Sequence, residues 1–341
     1  MSTRTTDTSH GDGAARRRRV LRAALATAAF VAVALGGCAR PAPGGTAVIA
    51  RPARGGSPDR PPAAEAAAAP APAAAECADA ITSYAPTTGT QIPAGSTMEA
   101  IRSRGHLVVG VSADTLRMGA RNPFTGQIEG FDIDVARQVA QAILGDPDAI
   151  RFRVITAGDR IPVLVDHEVD LVARAFTMNC ERWADIAFSA EYFTAGQKVL
   201  VSTESEATGI EGLAGRRVCA PEGTTTLERL ADYDVEAVGA RTHSACLALF
   251  QQGRVDAITG DDTVLAGFVA QDPYARVVGE AFSAEPYGLG IPADQVDMAR
   301  FVNAVLDGMK ADGTWTQLYD RWLGEALGPA PAPPSSVYGR S

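Results

Sequence analysis

Arginine, threonine and aspartate stand at three places where this 341-residue chain could grip a small charged molecule. The first is TMNCER, Thr177 to Arg182, directly after the apolar run VDLVARAF. Asn179 can cap a following helix and Glu181 suits its first turn, but Arg182 in that turn is opposed by the helix dipole. An anion beside it would offset that, and a carboxylate gripped by two parallel N–H bonds is the partner guanidinium geometry favours. An exposed surface arginine satisfies the same spacing. The second place is EGTTTLERL, with Gly223 and three threonines ahead of a helix. Backbone N–H groups and hydroxyls there bind anions, although an ordinary threonine cap reads the same way. No GxxxxGK[ST] occurs, so this is not a P-loop. The third is TGDDTVLAG, which puts Asp261 or Asp262 at a strand end, where a carboxylate suits an ammonium group or caps the next helix.

Residues so far apart need a scaffold to meet. HLVVGVS, RFRVITA and VDLVARAFT read as strands, and GFDIDVARQVAQAIL reads as a helix with Ile133, Ala136, Val139, Ala140 and Ile143 on one face. RIPVLVDHE is helical. Strands alternating with helices predict an α/β fold. IPVLVDHEVDLVARA and LALFQQGRVDAITGD share one layout, a short apolar helix, a turn, Val-Asp and a buried strand, which hints at two similar lobes. The second lobe starts after QKVLVSTES and ends near EPYGLGI, and two helices split at Asp312-Gly313 close the chain. Two crossings between lobes make a hinge and place a ligand in the cleft. The expected division is a first lobe over 97–200 with 287–327, a second over 201–286, and a disordered tail over 328–341.

The first 37 residues read as a secretion signal. Arg16 to Arg19 form a basic start, VLRAALATAAFVAVAL a short apolar run, and LGGC ends at Cys38. Small residues before that cysteine resemble the lipobox of bacterial lipoproteins, which implies lipidation of Cys38. The arginine run is also compatible with twin-arginine export. Cleavage there removes six arginines and two aspartates from a net charge of −9, leaving −13. So acidic a protein is poorly suited to nucleic acid or anionic lipid, and a lipid anchor would be its hold on the membrane. Residues 38–96, rich in Ala, Pro and Gly, read as a disordered leash. Cys77, Cys180, Cys219 and Cys246 remain, an even number suited to an oxidising compartment. They allow three connectivities, or free buried thiols. Cys219 ends a strand and Cys246 starts a helix, so those two can pair, leaving Cys77 for Cys180. No CxxC spacing suggests zinc, and no metal or cofactor is expected.

LVVGVS, GFDIDVARQVA, RIPVLVDHEVDLV, the T-x-x-x-E-R of Thr177 to Arg182, IAFSAEYF, EGTTT, DDT and DGTWTQLYDRWL occur in this order. Together they make the region from about Gly105 to Leu323 resemble the family 3 solute-binding proteins of bacterial amino-acid ABC importers. Lipobox, Pro-rich leash, cysteines and Pro-rich tail resemble the actinobacterial glutamine/glutamate-binding lipoproteins in particular. The resemblance implies a type II periplasmic-binding-protein fold, an extracytoplasmic lipid-anchored monomer, and delivery of an amino acid to permease and ATPase subunits.

By the same resemblance Arg182 clamps the ligand's α-carboxylate, with Thr177 and the backbone of Ala175 beside it. Thr224 and Thr225 complete the carboxylate site and Asp262 takes the α-ammonium. Arg160 faces a side-chain carboxylate, assisted by Arg174. Many members carry Asp or Arg after the first strand where this chain has Ser112, with Asp114 two residues on. Arg160 and Arg174 favour glutamate or aspartate, with glutamine and asparagine as competitors. A sensor lipoprotein reporting to a membrane receptor would need the same features. A dehydratase-like enzyme on this fold is the other rival, but the chain has no GxSxG, no HExxH and no nucleophile paired with a base, and His106 and His167 sit at element edges. A binding protein, not an enzyme, is therefore expected.

Overall fold

The computed structural model describes residues 80–341. The signal segment, Cys38, the leash as far as residue 79, and Cys77 with its expected bond to Cys180 lie outside the described residues. Among the described residues no helix is long and apolar enough to cross a membrane.

The chain opens with β1 (Thr82–Tyr84) and α1 (Thr97–Arg104), then β2 (Leu107–Val111) and a small antiparallel sheet of β3 (Asp114–Thr115), β4 (Gly119–Arg121) and β5 (Ile128–Glu129). Helix α2 (Phe131–Leu144) follows, and its predicted apolar face is fully buried. Next come β6 (Ile150–Val154), α3 (Arg160–Val165), β7 (Leu171–Ala173), the single-turn α4 (Cys180–Trp183) and β8 (Ile186–Phe188). Long strand β9 (Phe193–Ser202) leads into β10 (Arg217–Pro221), α5 (Thr225–Glu228), β11 (Glu236–Ala240), α6 (His243–Gln251), β12 (Ala257–Asp261) and α7 (Asp262–Val269). Strand β13 (Ala275–Tyr287) returns to β14 (Gly290–Pro292), and α8 (Val296–Asp312), α9 (Thr314–Trp322), α10 (Gly324–Leu327) and β15 (Val337–Arg340) complete the chain. The predicted break at Asp312-Gly313 is real: Gly313 ends α8 at φ 85°, a left-handed conformation that glycine adopts without a Cβ penalty.

Two five-stranded sheets define two lobes. The first runs β6-β2-β7-β14-β8 and the second β11-β10-β12-β9-β13. β2 is parallel to β6 and β7, and β10 is parallel to β11 and β12, whereas β9 runs antiparallel to both its neighbours. β9 and β13 are the crossings. At one end Phe193 and Tyr287 stack in the first lobe's aromatic cluster with Trp315 and Tyr319, and at the other Leu200 and Ala275 belong to the second lobe's core. A register shift between Val278 and Ser283 bends this pair.

The Cys219–Cys246 disulfide pins α6 to β10, with a Cα separation of 5.6 Å. Closing a loop of this length contributes about 3–4 kcal/mol by the chain-entropy argument.

The two ends of the folded region differ from expectation. The sequence predicts a leash to residue 96 and a loose tail from 328, yet β1 and β15 pair in parallel, Thr82 opposite Val337. Arg340 lies over the Trp183 ring at 3.7 Å and donates to the Thr82 carbonyl, while the Tyr338 hydroxyl bonds Asp307 at 2.7 Å. These partners are distant in sequence, and the surrounding Pro and Ala composition hides them.

Candidate functional site: a charged cleft between the lobes

The strand ends of both sheets converge on an enclosed cavity of about 20 Å³. Arg160, Arg174, Ala175 and Thr177 line it from the first lobe, and Thr224, Thr225, Thr226, His243, Gly260 and Asp261 from the second. A chamber of about 150 Å³ adjoins it and shares Arg160; Arg182, Phe176, Asn179, Gly223 and Glu228 stand around that chamber.

Arg160 begins α3 and is buried. Its Nε donates to the Ala157 carbonyl at 2.8 Å, Nη1 to Ala175 at 3.0 Å, and Nη2 across the cleft to the Gly223 carbonyl at 2.8 Å. Burial, then the charges of Arg182 and Arg174, push its pKa well below the ordinary guanidinium value. Arg174 gives Nε to the Ile155 carbonyl at 3.0 Å, and its terminal nitrogens carry no protein hydrogen bond among the described residues. Burial lowers its pKa too, opposed by Asp114 and Asp132.

Arg182 follows the predicted Asn179 cap, whose side chain accepts from its N–H at 2.8 Å. Its Nη1 donates to the Thr177 carbonyl at 2.6 Å, and its guanidinium lies 5.1 Å from the Phe176 ring, which Arg160 also contacts at 4.4 Å. It therefore lines the adjoining chamber and not the central cavity.

Ala175 has a φ of 40°, a left-handed conformation costly for a residue with a Cβ. It is held there by Asp132, which accepts its N–H at 2.8 Å, and by Arg160 on its carbonyl. Burial raises Asp132 to about 6, partly offset by hydrogen bonds from Tyr192 and Ala175.

On the second lobe Thr224 caps α5, accepting from the Leu227 N–H, while the Thr225 hydroxyl donates to Glu285 at 2.8 Å. The aspartate facing the cavity is Asp261, last residue of β12. Its Oδ2 accepts a short hydrogen bond from the Tyr287 hydroxyl, and its Oδ1 is buried without a partner among the described residues. Burial, then the charge of Glu285, raises Asp261 to about 7.

Asp262 lines a different groove on the hinge side, and its Oδ1 accepts the Thr263 N–H at 2.8 Å. The aspartate on the cavity wall is thus one residue before the expected Asp262, because successive side chains at a strand end point to opposite sides. Ser112 is also absent from the lining; its hydroxyl bonds Asp114 and Thr115. Thr226 is the third threonine of EGTTT, which the resemblance left without a role, and the motifs gave no sign of His243. Burial, then Arg174, drops His243 to about 3, so it is a neutral wall at physiological pH. Its one sequence signal is its place at the start of a helix after the Thr242 cap.

The fold and cleft define a solute-binding protein of the two-lobed, type II kind. The chain belongs to the bacterial extracellular solute-binding proteins, family 3, which it matches over residues 107–325. It is 34% identical over 232 residues to the ABC transporter glutamine-binding protein GlnH of Bacillus subtilis (strain 168), covering 67% of this chain and 85% of that one. It is 30% identical over 266 residues to the glutamate-binding protein GluB of Corynebacterium efficiens, covering 72% and 90%. Among solved structures it resembles a mutant of ArgBP from T. maritima, with 30% identity, TM-score 0.62 and coverage of 67% of this chain and 99% of that one. It also resembles an ancestral arginine-binding protein bound to glutamine, with 31% identity, TM-score 0.61 and coverage of 65% and 99%.

Proposed function

We propose that this protein binds an acidic amino acid, glutamate or aspartate, between its lobes and delivers it to the permease and ATPase subunits of an ABC importer. Glutamine and asparagine are the close competitors. The observation that carries the reading is the buried, unpartnered Oδ1 of Asp261 opposite two lining arginines. A buried carboxylate oxygen without a donor is costly, and an ammonium group satisfies it. Arg174, with its terminal nitrogens unspent, is suited to a carboxylate.

The side-chain preference follows from charge. Arg182 and Arg174, with Asp261, complement two carboxylates and one ammonium once the cavity and the adjoining chamber share one cleft. A cationic side chain would put a further, unpaired positive charge beside buried guanidiniums. The Arg160–Gly223 bond joins the lobes, so opening breaks it, and the cavity and the Arg182 chamber then face one cleft. Arg182 is assigned the α-carboxylate there, with Thr177, Thr224 and Thr225 beside it. The exported, lipid-anchored, monomeric and non-enzymatic character expected from the sequence belongs to the same proposal.

A thermal-shift screen of the 20 amino acids, followed by calorimetry, tests it. Glutamate and aspartate give the largest shifts. Arg182→Ala leaves a buried carboxylate unpaired and loses about 3–5 kcal/mol, two to three decades in Kd. Arg174→Gln weakens glutamate more than glutamine. Largest stabilisation by arginine or lysine would overturn the acidic preference, and wild-type affinity in Arg182→Ala would overturn that assignment.

A further inference from the structure

The β3–β4 hairpin of the first lobe reaches onto two helices of the second. Asp114 Oδ2 accepts both the backbone N–H of Ser244 at 3.0 Å and its hydroxyl at 2.8 Å, in the first turn of α6. Thr115 Oγ1 lies 3.5 Å from Nδ1 of His243 in the same turn. One residue on, the Leu116 carbonyl faces Gly267 in α7 so closely that a Cβ there would stand 2.6 Å from its oxygen. Arg117, at φ 74°, turns the chain back onto its own lobe, donating to the Trp322 carbonyl and to Glu325.

None of Asp114, Leu116 or Gly267 lines the cavity. The receiving surface is braced, because α6 is tied to β10 through Cys246 and Cys219. Burial pushes the Asp114 carboxyl up, but the Ser244 hydrogen bonds, helped by the charge of Arg174, outweigh it, so its pKa is lowered and it meets α6 ionised.

We propose that the hairpin tip Asp114–Arg117 is a closure latch: Asp114 on Ser244 and Leu116 against the bare backbone of Gly267 hold the lobes shut and set the ligand's residence time without touching the ligand. Contacts made only in the closed form shift the open–closed equilibrium, and they act on release because the closed form must break before ligand leaves. The proposal rests on the reading that an amino acid binds between the lobes.

Stopped-flow fluorescence with L-glutamate and L-glutamine separates association from dissociation. Asp114→Ala and Gly267→Ala each raise koff at least tenfold and leave kon within twofold, and Asp114→Asn lies between Asp114→Ala and wild type. Wild-type koff in both alanine variants overturns the latch, as does an effect confined to kon. Hydrogen exchange at the Ser244 amide is the second measurement. Protection lost in Asp114→Ala supports the contact and unchanged protection overturns it, also in the case where wild-type protein binds neither amino acid and the proposed function fails alone. Should Asp114→Ala not fold, Ser244→Ala and Gly267→Ala carry the same koff test.

Discussion

Asp261 shows how one residue makes the site sensitive to protons. Burial raises its carboxyl to about 7, helped by Glu285 and Asp262 and opposed by Tyr287 and Arg160. Under the proposed function the ionised form receives the ammonium group, so binding must displace a proton at low pH. The Kd for L-glutamate therefore falls as pH rises from 5.5 to about 7 and then levels, whereas Asp261→Asn binds weakly with a flat profile; calorimetry across pH reads both. The sign reverses for the ligand-free fold. A folded pKa above the unfolded value favours folding at low pH, and that contribution is lost as pH rises through about 7. The motifs brought Arg160, Arg174, Ala175, Thr177, Thr224 and Thr225 to one cavity because each sits beside a strand end or helix start with a recognisable pattern. The sequence left Asp261 and Asp262 as alternatives and missed His243, because the choice between adjacent aspartates, and the burial of a histidine, depend on how a strand end meets the opposite lobe.

At the scale of elements, the single turn α4 carries Arg182 yet is too short to hold itself. It is held through Trp183. The indole Nε1 donates to the Ala80 carbonyl at 2.8 Å, its ring meets Tyr84 and Phe188 edge-on, and Arg340 covers it. The turn that carries Arg182 thus leans on both ends of the folded region. Arg340→Ala is expected to cost about 0.5–1 kcal/mol, the worth of an accessible cation–π contact. Urea unfolding followed by tryptophan emission measures it. The long helices α2 and α8 were legible because one face of each is apolar at helical spacing. The strap formed by β15 was not, since Val337 to Arg340 gain their order from Thr82, Asp307 and Trp183, partners that local composition does not reveal.

At the scale of the whole molecule, the repeated helix-turn-Val-Asp-strand layout foreshadowed two lobes, and α3–β7 and α6–β12 indeed occupy the two sheets. The crossings β9 and β13 were legible only as boundaries, because their antiparallel pairing and its bend arise from contacts some 80 residues apart. The paired ends carry a topological consequence. With Thr82 beside Val337, Ser341 and Ala80 are about five residues of strand apart, roughly 17 Å. The described chain is thus nearly a ring, and where it is cut becomes a matter of choice. Joining Ser341 to Ala80 through about eight Gly/Ser residues, and opening the chain beside the exposed Phe124 in the Asn122–Gly126 turn, gives a circular permutant. It is expected to keep the wild-type circular dichroism and the same stabilisation by L-glutamate. Loss of both would mean that the clasp at Trp183 needs an unbroken β4–β5 turn, making the two ends of the first lobe one cooperative unit.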